Sequence, residues 1–430
     1  MLPNRSVFVE MIEQNHPDEQ MLSVTITRGV IQQQELLKDE SKKDASRLDR
    51  SDYKLVQPGD IAYNKMRAWQ GAIGISEFRG IVSPAYVVQR PRKGLNPRFL
   101  HYLLRTPMFA KEAERWSYGI ASDMWSLRPQ HFKMIYACVP SLPEQHAIAR
   151  YLDHVDRRIQ RYIDTKEKLI ALLQEARQAT IQRAVTRGLD PDVPLKPSGV
   201  DWLGDVPANW EVGRLGHLAT KFGSGITPRG GATVYQESGV PFLRSQNIHF
   251  EGLQMQDVAR IAPSLHQELS GTHVKPGDVL LNITGASIGR ACAVPEDFVE
   301  GNVNQHVCII RPDKSRLLPR LLAAYLSTPV MQLEIQIEQR GASREGLTLH
   351  SIRNFTVLLP PLPEQRAIAA HLDKATAAID AAVDTARRQA DLMREYRASL
   401  FAHVVTGKLD VRAAAEHLPP QYPEQKLASN

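Results

Sequence analysis

The apolar positions along the chain keep two different periods. From Leu152 they step by threes and fours through Val155, Ile159, Tyr162, Lys166, Leu169, Leu173 and Ala176. A second stripe in the same register runs through Leu372, Ala375, Ile379, Ala382, Ala386, Gln389, Met393, Tyr396 and Leu400. A mean step of about 3.5 residues marks a coiled-coil seam, here with one lysine and one glutamine inside it. Each stripe follows a Pro-Glu start, Pro143-Glu144 or Pro363-Glu364, where a missing N–H costs nothing and a carboxylate suits the helix dipole. Each ends at a glycine, Gly188 or Gly407. The spacing predicts helices over 143–187 and 363–407, each roughly 65 Å long at about 1.5 Å per residue. Helices longer than a small domain is wide need a partner, and each is expected to find it in the other.

Outside the stripes the period shortens. Val82–Val88, Val279–Ile283 and His306–Ile310 read as strands between Gly, Pro, Asn and Ser turns, and Leu95–Phe109 and Leu317–Ile335 read as helices. Residues 1–140 and 216–360 are therefore expected to be mixed α/β domains.

The two halves are copies. Leu142-Pro143-Glu144-Gln145-His146-Ala147-Ile148-Ala149 returns as Leu362-Pro363-Glu364-Gln365-Arg366-Ala367-Ile368-Ala369, and 19 of the 50 positions in 141–190 are identical to their counterparts in 361–410 without a gap. More loosely, Gln57-Pro58-Gly59-Asp60 answers Lys275-Pro276-Gly277-Asp278, Arg90-Pro91 answers Arg311-Pro312, and Leu104-Arg105-Thr106-Pro107 answers Leu326-Ser327-Thr328-Pro329. A period of about 220 residues means one supersecondary plan used twice. The expected fold class is α+β: two mixed α/β domains separated by two long antiparallel coiled-coil helices. In order, these are a first domain (1–140), helix (141–187), linker (188–215), second domain (216–360), second helix (361–407) and tail (408–430). The linker, with Trp202 and Trp210, is expected to be ordered and the polar, Pro-containing tail disordered.

The net charge of +6 and pI near 9.1 suit a nucleic-acid partner without demanding one. Three scattered cysteines, Cys138, Cys292 and Cys308, argue against a disulfide framework or zinc site and for a reducing cytoplasm. No signal peptide or membrane-spanning stretch is read. No GxxxxGK[ST] phosphate loop, strand-borne GxGxxG, HExxH or GxSxG emerges, so no catalytic group, bound cofactor or metal site is expected.

Candidate DNA-reading chemistry occurs in both domains. In the first, Lys65, Arg67, Trp69, Gln70, Arg115, Tyr118 and Ser122 join basic, amide, aromatic and hydroxyl groups; in the second, Arg244, Gln246, Asn247, Thr284, Ser287, Arg340, Ser343 and Arg344 do so. Arginine suits guanine, amides suit adenine, and hydroxyls suit phosphates or either base.

The paired LPEQHAIARYLD and LPEQRAIAAHLD, the helix ends VTRGLD and VTGKLD, and the linker LKPSGVDWLGDVPANWEVGRLG resemble the specificity subunit of type I restriction–modification systems over nearly the whole chain. The resemblance implies two target recognition domains, each reading one half of a split, asymmetric site in double-stranded DNA. It implies a spacer of two antiparallel helices that docks two methyltransferase subunits, with Pro143, Glu144, Gln145, Pro363, Glu364 and Gln365 as partner-binding residues. S-adenosylmethionine, ATP and magnesium would then belong to methyltransferase and motor/nuclease (restriction) subunits, and this chain would not be an enzyme. In one respect the chain departs from the pattern. The strand near Leu22 aligns with that near Phe242, so roughly 20–40 residues that introduce the second domain are expected to lack counterparts in the first. A coiled-coil adaptor without a DNA role and an inactive orphan specificity subunit remain as alternatives.

Overall fold

The computed structural model describes residues 1–37, 49–119, 125–200, 202–340 and 346–419, with only the backbone of Leu37 and Arg340. The chain divides into two compact units, one of residues 1–167 with 387–430 and the other of 168–386.

In the first unit, β1 (Phe8–Met11), β2 (Ile61–Asn64), β3 (Ile73–Ile75) and β4 (Tyr86–Pro91) form an antiparallel sheet in the order β1-β4-β2-β3. Residues alternate between faces along a strand. Accordingly Ile61, Tyr63, Ile73 and Val87 join the core formed with α1 (Pro97–Leu104) and α2 (Pro107–Arg115). Ala62 and Val88 join a smaller core with Leu22, Val24 and Val30. Burial of both faces explains why these strands read as continuous apolar runs. Residues 142–167 and 387–405 of the long helices α3 (Leu142–Arg187) and α6 (Leu362–Val405) complete this unit.

The second unit repeats the plan. β5 (Ala219–Ser224), β6 (Val279–Asn282), β7 (Ala291–Ala293) and β8 (Val307–Pro312) are ordered β5-β8-β6-β7, followed by α4 (Pro319–Leu326) and α5 (Pro329–Arg340). The expected shortage of residues before Leu22 is not seen in the sheet, because Phe8–Met11 occupies the edge that Ala219–Ser224 occupies in the other copy.

The repeated motifs prove to be contacting partners. Asp60 accepts from Arg90 at 2.7 and 2.9 Å and Asp278 from Arg311 at 2.6 and 2.8 Å. Each carboxylate also closes its own Pro-Gly-Asp turn by accepting from the backbone N–H of Gln57 or Lys275. The turns need Gly59 and Gly277 at φ +93° and +78°, a region side chains disfavour. The single helices expected over 95–109 and 317–335 are each two. Thr106 and Thr328 donate to the end of one helix and cap the next, which starts at Pro107 or Pro329.

Within each unit the long helices run antiparallel. Arg397 pairs with Asp156 at 2.5 Å and Arg394 with Glu167 at 2.6 Å in the first, and Arg177 with Asp380 at 2.9 Å in the second. Part of the predicted seam shifts by one residue. Thr376, Val383 and Ala390 are buried and Arg397 is half-buried, in place of Ala375, Ala382, Gln389 and Tyr396; Ile163 and Arg177 likewise replace Tyr162 and Ala176. The reversed alternation brings Arg177 and Arg397 onto the seam, where their stems pack and their guanidinium groups meet carboxylates of the facing helix.

The tail is ordered as far as described. Residues Arg412–Glu416 form a short helix, α7, whose Ala415 is buried with Val411 just ahead of it, while Asp410 accepts from the Arg412 backbone N–H. Two apolar side chains facing one way were enough to fold a segment that composition made polar. In the linker Trp210 is fully buried, whereas Trp202 is 39% exposed. No helix among the described residues is long and apolar enough to cross a membrane.

Candidate nucleic-acid interface

The candidate residues concentrate at one corner of each sheet, where β2 and β6 end. Asn64 and Asn282 are the last residues of these equivalent strands, and each turns the chain into the loop that follows. The Asn64 side chain accepts from the Met66 N–H at 2.9 Å. Asn282 donates to the Ser245 carbonyl at 2.8 Å and to Ser287 Oγ at 3.1 Å.

In the first unit this loop carries Lys65, Arg67, Trp69 and Gln70. The Trp69 indole donates to the Met66 carbonyl at 3.0 Å and meets the Trp125 ring edge-on at 5.5 Å. Leu127 donates its N–H to the Lys65 carbonyl at 2.8 Å, strapping 125–127 onto the loop. A backbone bridge from Ser126 then brings in Tyr118, which is 58% exposed and rests on the His131 ring. Arg67 and Gln70 are exposed, as is Arg115 at the end of α2. Burial pushes the Lys54 ammonium below its ordinary range, and nearby Lys65 pushes it further, against a raising by Glu10.

In the second unit the loop after β6 carries Thr284 and Ser287. Thr284 Oγ1 lies 2.5 Å from His306 Nδ1. Leu347 donates its N–H to the Ile283 carbonyl at 2.8 Å, the counterpart of the Leu127 strap. Arg244 stands over the Tyr235 ring at 5.5 Å and donates to the Asp257 carbonyl, and Gln246 beside it is exposed. Asn247 does not fit a reading role. It is buried, accepts from the Arg244 N–H and donates to the Gln254 carbonyl, so its amide shapes the turn. The side chain of Arg340, and Ser122, Ser343 and Arg344 entirely, lie outside the described residues.

The helix starts are also corrected in part. Gln145 and Gln365 are buried and spent on internal bonds, which removes them from any partner surface. Gln145 accepts from the Asn96 N–H ahead of α1 and donates to the Pro140 carbonyl. Gln365 accepts from the Leu318 N–H ahead of α4 and donates to the Arg316 and Pro360 carbonyls. Glu364 receives the Trp210 indole N–H and the Asn209 amide, both at 3.0 Å, while Pro143 and Pro363 are exposed. The aspartates ending the LPEQ repeats fasten the helices to their own units: Asp153 pairs with Arg98 and Asp373 with Arg320, each at 2.7 Å. Their fixed place in both repeats was the available signal, and it lacked only the identity of the partner.

Among the described residues no cluster of His, Cys, Asp or Glu could hold a metal ion.

The family model for the type I restriction modification DNA specificity domain matches residues 207–384. A Methanocaldococcus jannaschii protein provisionally assigned as the type I restriction enzyme MjaX specificity subunit is 24% identical over 383 residues, covering 86% of this chain and 83% of that protein. The Escherichia coli type I restriction enzyme EcoBI specificity subunit is 25% identical over 286 residues, 65% of this chain but only 59% of its own length. A chain solved in work on complex assembly and conformational transition of the type I R-M system shares the fold, with a TM-score of 0.70 at 16% identity over 95% of this chain and 97% of that one. The resemblance read from the repeats is borne out: residues 207–384 match the model of the type I specificity domain, and the chain is similar to specificity subunits of type I restriction–modification systems.

Proposed function

We propose that the chain reads a bipartite, asymmetric DNA sequence, one half with each sheet corner, on behalf of methyltransferase and restriction subunits that supply the chemistry. The observation that carries this reading is the equivalence of the two corners: the loops leave the same strand end, are strapped at the same place, and carry different side chains. Lys65, Arg67, Trp69, Gln70, Arg115 and Tyr118 would engage one half-site. Arg244, Gln246, Thr284 and Ser287 would engage the other. Basic groups would contact phosphates and give salt-sensitive affinity, while amides and arginines reaching base edges would give sequence. Ser122, Arg340, Ser343 and Arg344 stay with the proposal as neighbours of these loops in sequence.

The long helices would set the number of base pairs between half-sites and, through Pro143, Glu144, Pro363 and Glu364, offer docking points for methyltransferase subunits. S-adenosylmethionine, ATP and magnesium would be bound by those partners. The test is methylation mapping in cells that supply the partner subunits, after exchanging residues 61–71 and 115–127 for those of another specificity subunit. One half of the methylated sequence should change while the other half and the spacer stay. A change in both halves, or in neither, overturns the assignment.

A further inference from the structure

The second corner carries a chain of three polar side chains that its copy lacks. Asn282 pairs with Val307 across the sheet as Asn64 pairs with Tyr86. One step further along, the Ile283 N–H donates to the His306 carbonyl at 2.9 Å, and the Lys65 N–H donates to the Ala85 carbonyl at 3.2 Å. The backbone bonds recur, but the side chains do not. Thr284, His306 and Gln305 stand where the first unit has Met66, Ala85 and Pro84. The same backbone bond forms with a methionine, an alanine and a proline around it, so folding does not require the three polar groups.

Their geometry is well defined. The His306 N–H donates to Asn304 Oδ1 at 3.1 Å, which with the carbonyl bond holds the backbone on both sides of the ring. Gly225 packs on the Val303 and Asn304 carbonyls with no room for a Cβ, so the turn before His306 is pressed into place. His306 Nδ1 lies 2.5 Å from Thr284 Oγ1, and Nε2 lies 3.1 Å from the Gln305 amide nitrogen. An amide nitrogen can only donate, so Nε2 accepts and the ring proton sits on Nδ1. Nδ1–H then donates to Thr284 Oγ1, which leaves the threonine its own O–H to give.

We propose that Gln305 and His306 are positioning residues that act through Thr284, holding its hydroxyl as a donor toward a hydrogen-bond acceptor on the DNA. This role rests on the assignment of the second corner to DNA. A donor suits a phosphate oxygen, N7 or O6 of guanine, N7 of adenine or O4 of thymine, and it does not suit the amino group of cytosine. With the Gln305 amide turned over, Nε2 would donate to it, Nδ1 would accept from Thr284, and the threonine would offer only lone pairs. Gln305 thereby sets the polarity of a contact two hydrogen bonds away.

The test is a double-mutant cycle in the complex assembled with methyltransferase subunits, on a duplex carrying the sequence that methylation mapping identifies. Thr284→Val should weaken binding about tenfold, and Gln305→Ala, at an exposed position, about threefold. On the Thr284→Val background, Gln305→Ala should cost nothing further, because the hydroxyl at the end of the chain is gone. Thr284→Ser should keep most of the affinity, and every variant should melt as the wild type does. Replacing each base pair of the half-site in turn separates the two kinds of acceptor. A base edge confines the loss in both single variants to the same base pair, whereas a phosphate spreads it evenly. A Gln305→Ala loss that multiplies with that of Thr284→Val makes Gln305 a direct contact and overturns the proposal. So does Gln305→Ala binding as wild type while Thr284→Val is weakened. If Thr284→Val itself binds as wild type, the threonine does not meet DNA, and the underlying assignment of that residue fails instead.

Discussion

The corner after β2 and the corner after β6 are built on one plan and finished with different chemistry. Both end a buried strand in asparagine, and both are strapped by a leucine N–H, Leu127 or Leu347. Beyond those shared bonds the first offers Lys65, Arg67 and the Trp69–Trp125 pair, and the second offers Thr284, Ser287 and an arginine held over Tyr235. Residues that hold the chain to itself recur, because the same fold has the same polar groups to satisfy. Residues that end in solvent do not, because nothing inside the chain dictates them. A protein that must recognise two different words with one fold needs this division.

Breaking the linker's closure of the second helix start should have the largest effect. Trp210→Ala removes a fully buried ring and leaves the Glu364 carboxylate short of a donor, at a cost of about 3–5 kcal/mol in urea unfolding. A loss below about 1 kcal/mol would mean that the linker does not help to hold the second unit together.

The divergent corners come next. Arg67→Ala and Arg244→Ala should each weaken the assembled complex on its cognate DNA by about 1–3 kcal/mol in a shift assay. Each should relax the sequence requirement in a different half-site. If both variants relaxed the same half, the two corners would not be separate readers.

A smaller contrast lies within the recurring contacts. Arg98–Asp153 and Arg320–Asp373 have the same length, but Asp153 is 18% exposed and also accepts from the Tyr102 hydroxyl, whereas Asp373 is 62% exposed and Ala324 stands where Tyr102 would be. Asp153→Ala should therefore cost about 1–2 kcal/mol and Asp373→Ala about 0–1 kcal/mol. Equal losses would show that burial and the extra hydroxyl bond add nothing.

The repeat, the long helices and the mixed α/β class could all be read from the chain because they rest on local period and on identity at a fixed offset. The contacts that make the repeat necessary could not. Asp60 meets Arg90 and Gln365 meets Leu318 across tens of residues, and spacing alone does not say which repeated residues touch. Seam register failed for a related reason: Ala382 and Val383 are both apolar, and the choice falls to the facing helix. Of the candidate readers, exposed loop groups such as Arg67 and Gln246 lay where loop chemistry put them. Asn247 did not, because an amide that shapes a turn and an amide that reads adenine are the same residue in a sequence.

The finest contrast between the copies is a pair of glutamates on α2 and α5. Glu112 is 43% exposed near Arg115, but Glu334 on α5 has one carboxylate oxygen buried without a hydrogen-bond partner. Burial raises the Glu334 carboxyl to about 7, against a weaker lowering by a backbone hydrogen bond at Thr356 and by Arg214. Between about pH 5 and 7 the folded chain then holds a proton that the unfolded chain releases, so stability falls as pH rises through this window and levels off above it. Glu334→Gln, neutral at every pH, should flatten that fall and raise the melting temperature at pH 8 while changing little at pH 5. The gain should stay below about 1 kcal/mol, because the rest of the carboxyl still meets solvent. Melting curves from pH 5 to 8 that run parallel for wild type and variant would show that Glu334 ionises freely in the folded chain, as an exposed glutamate does.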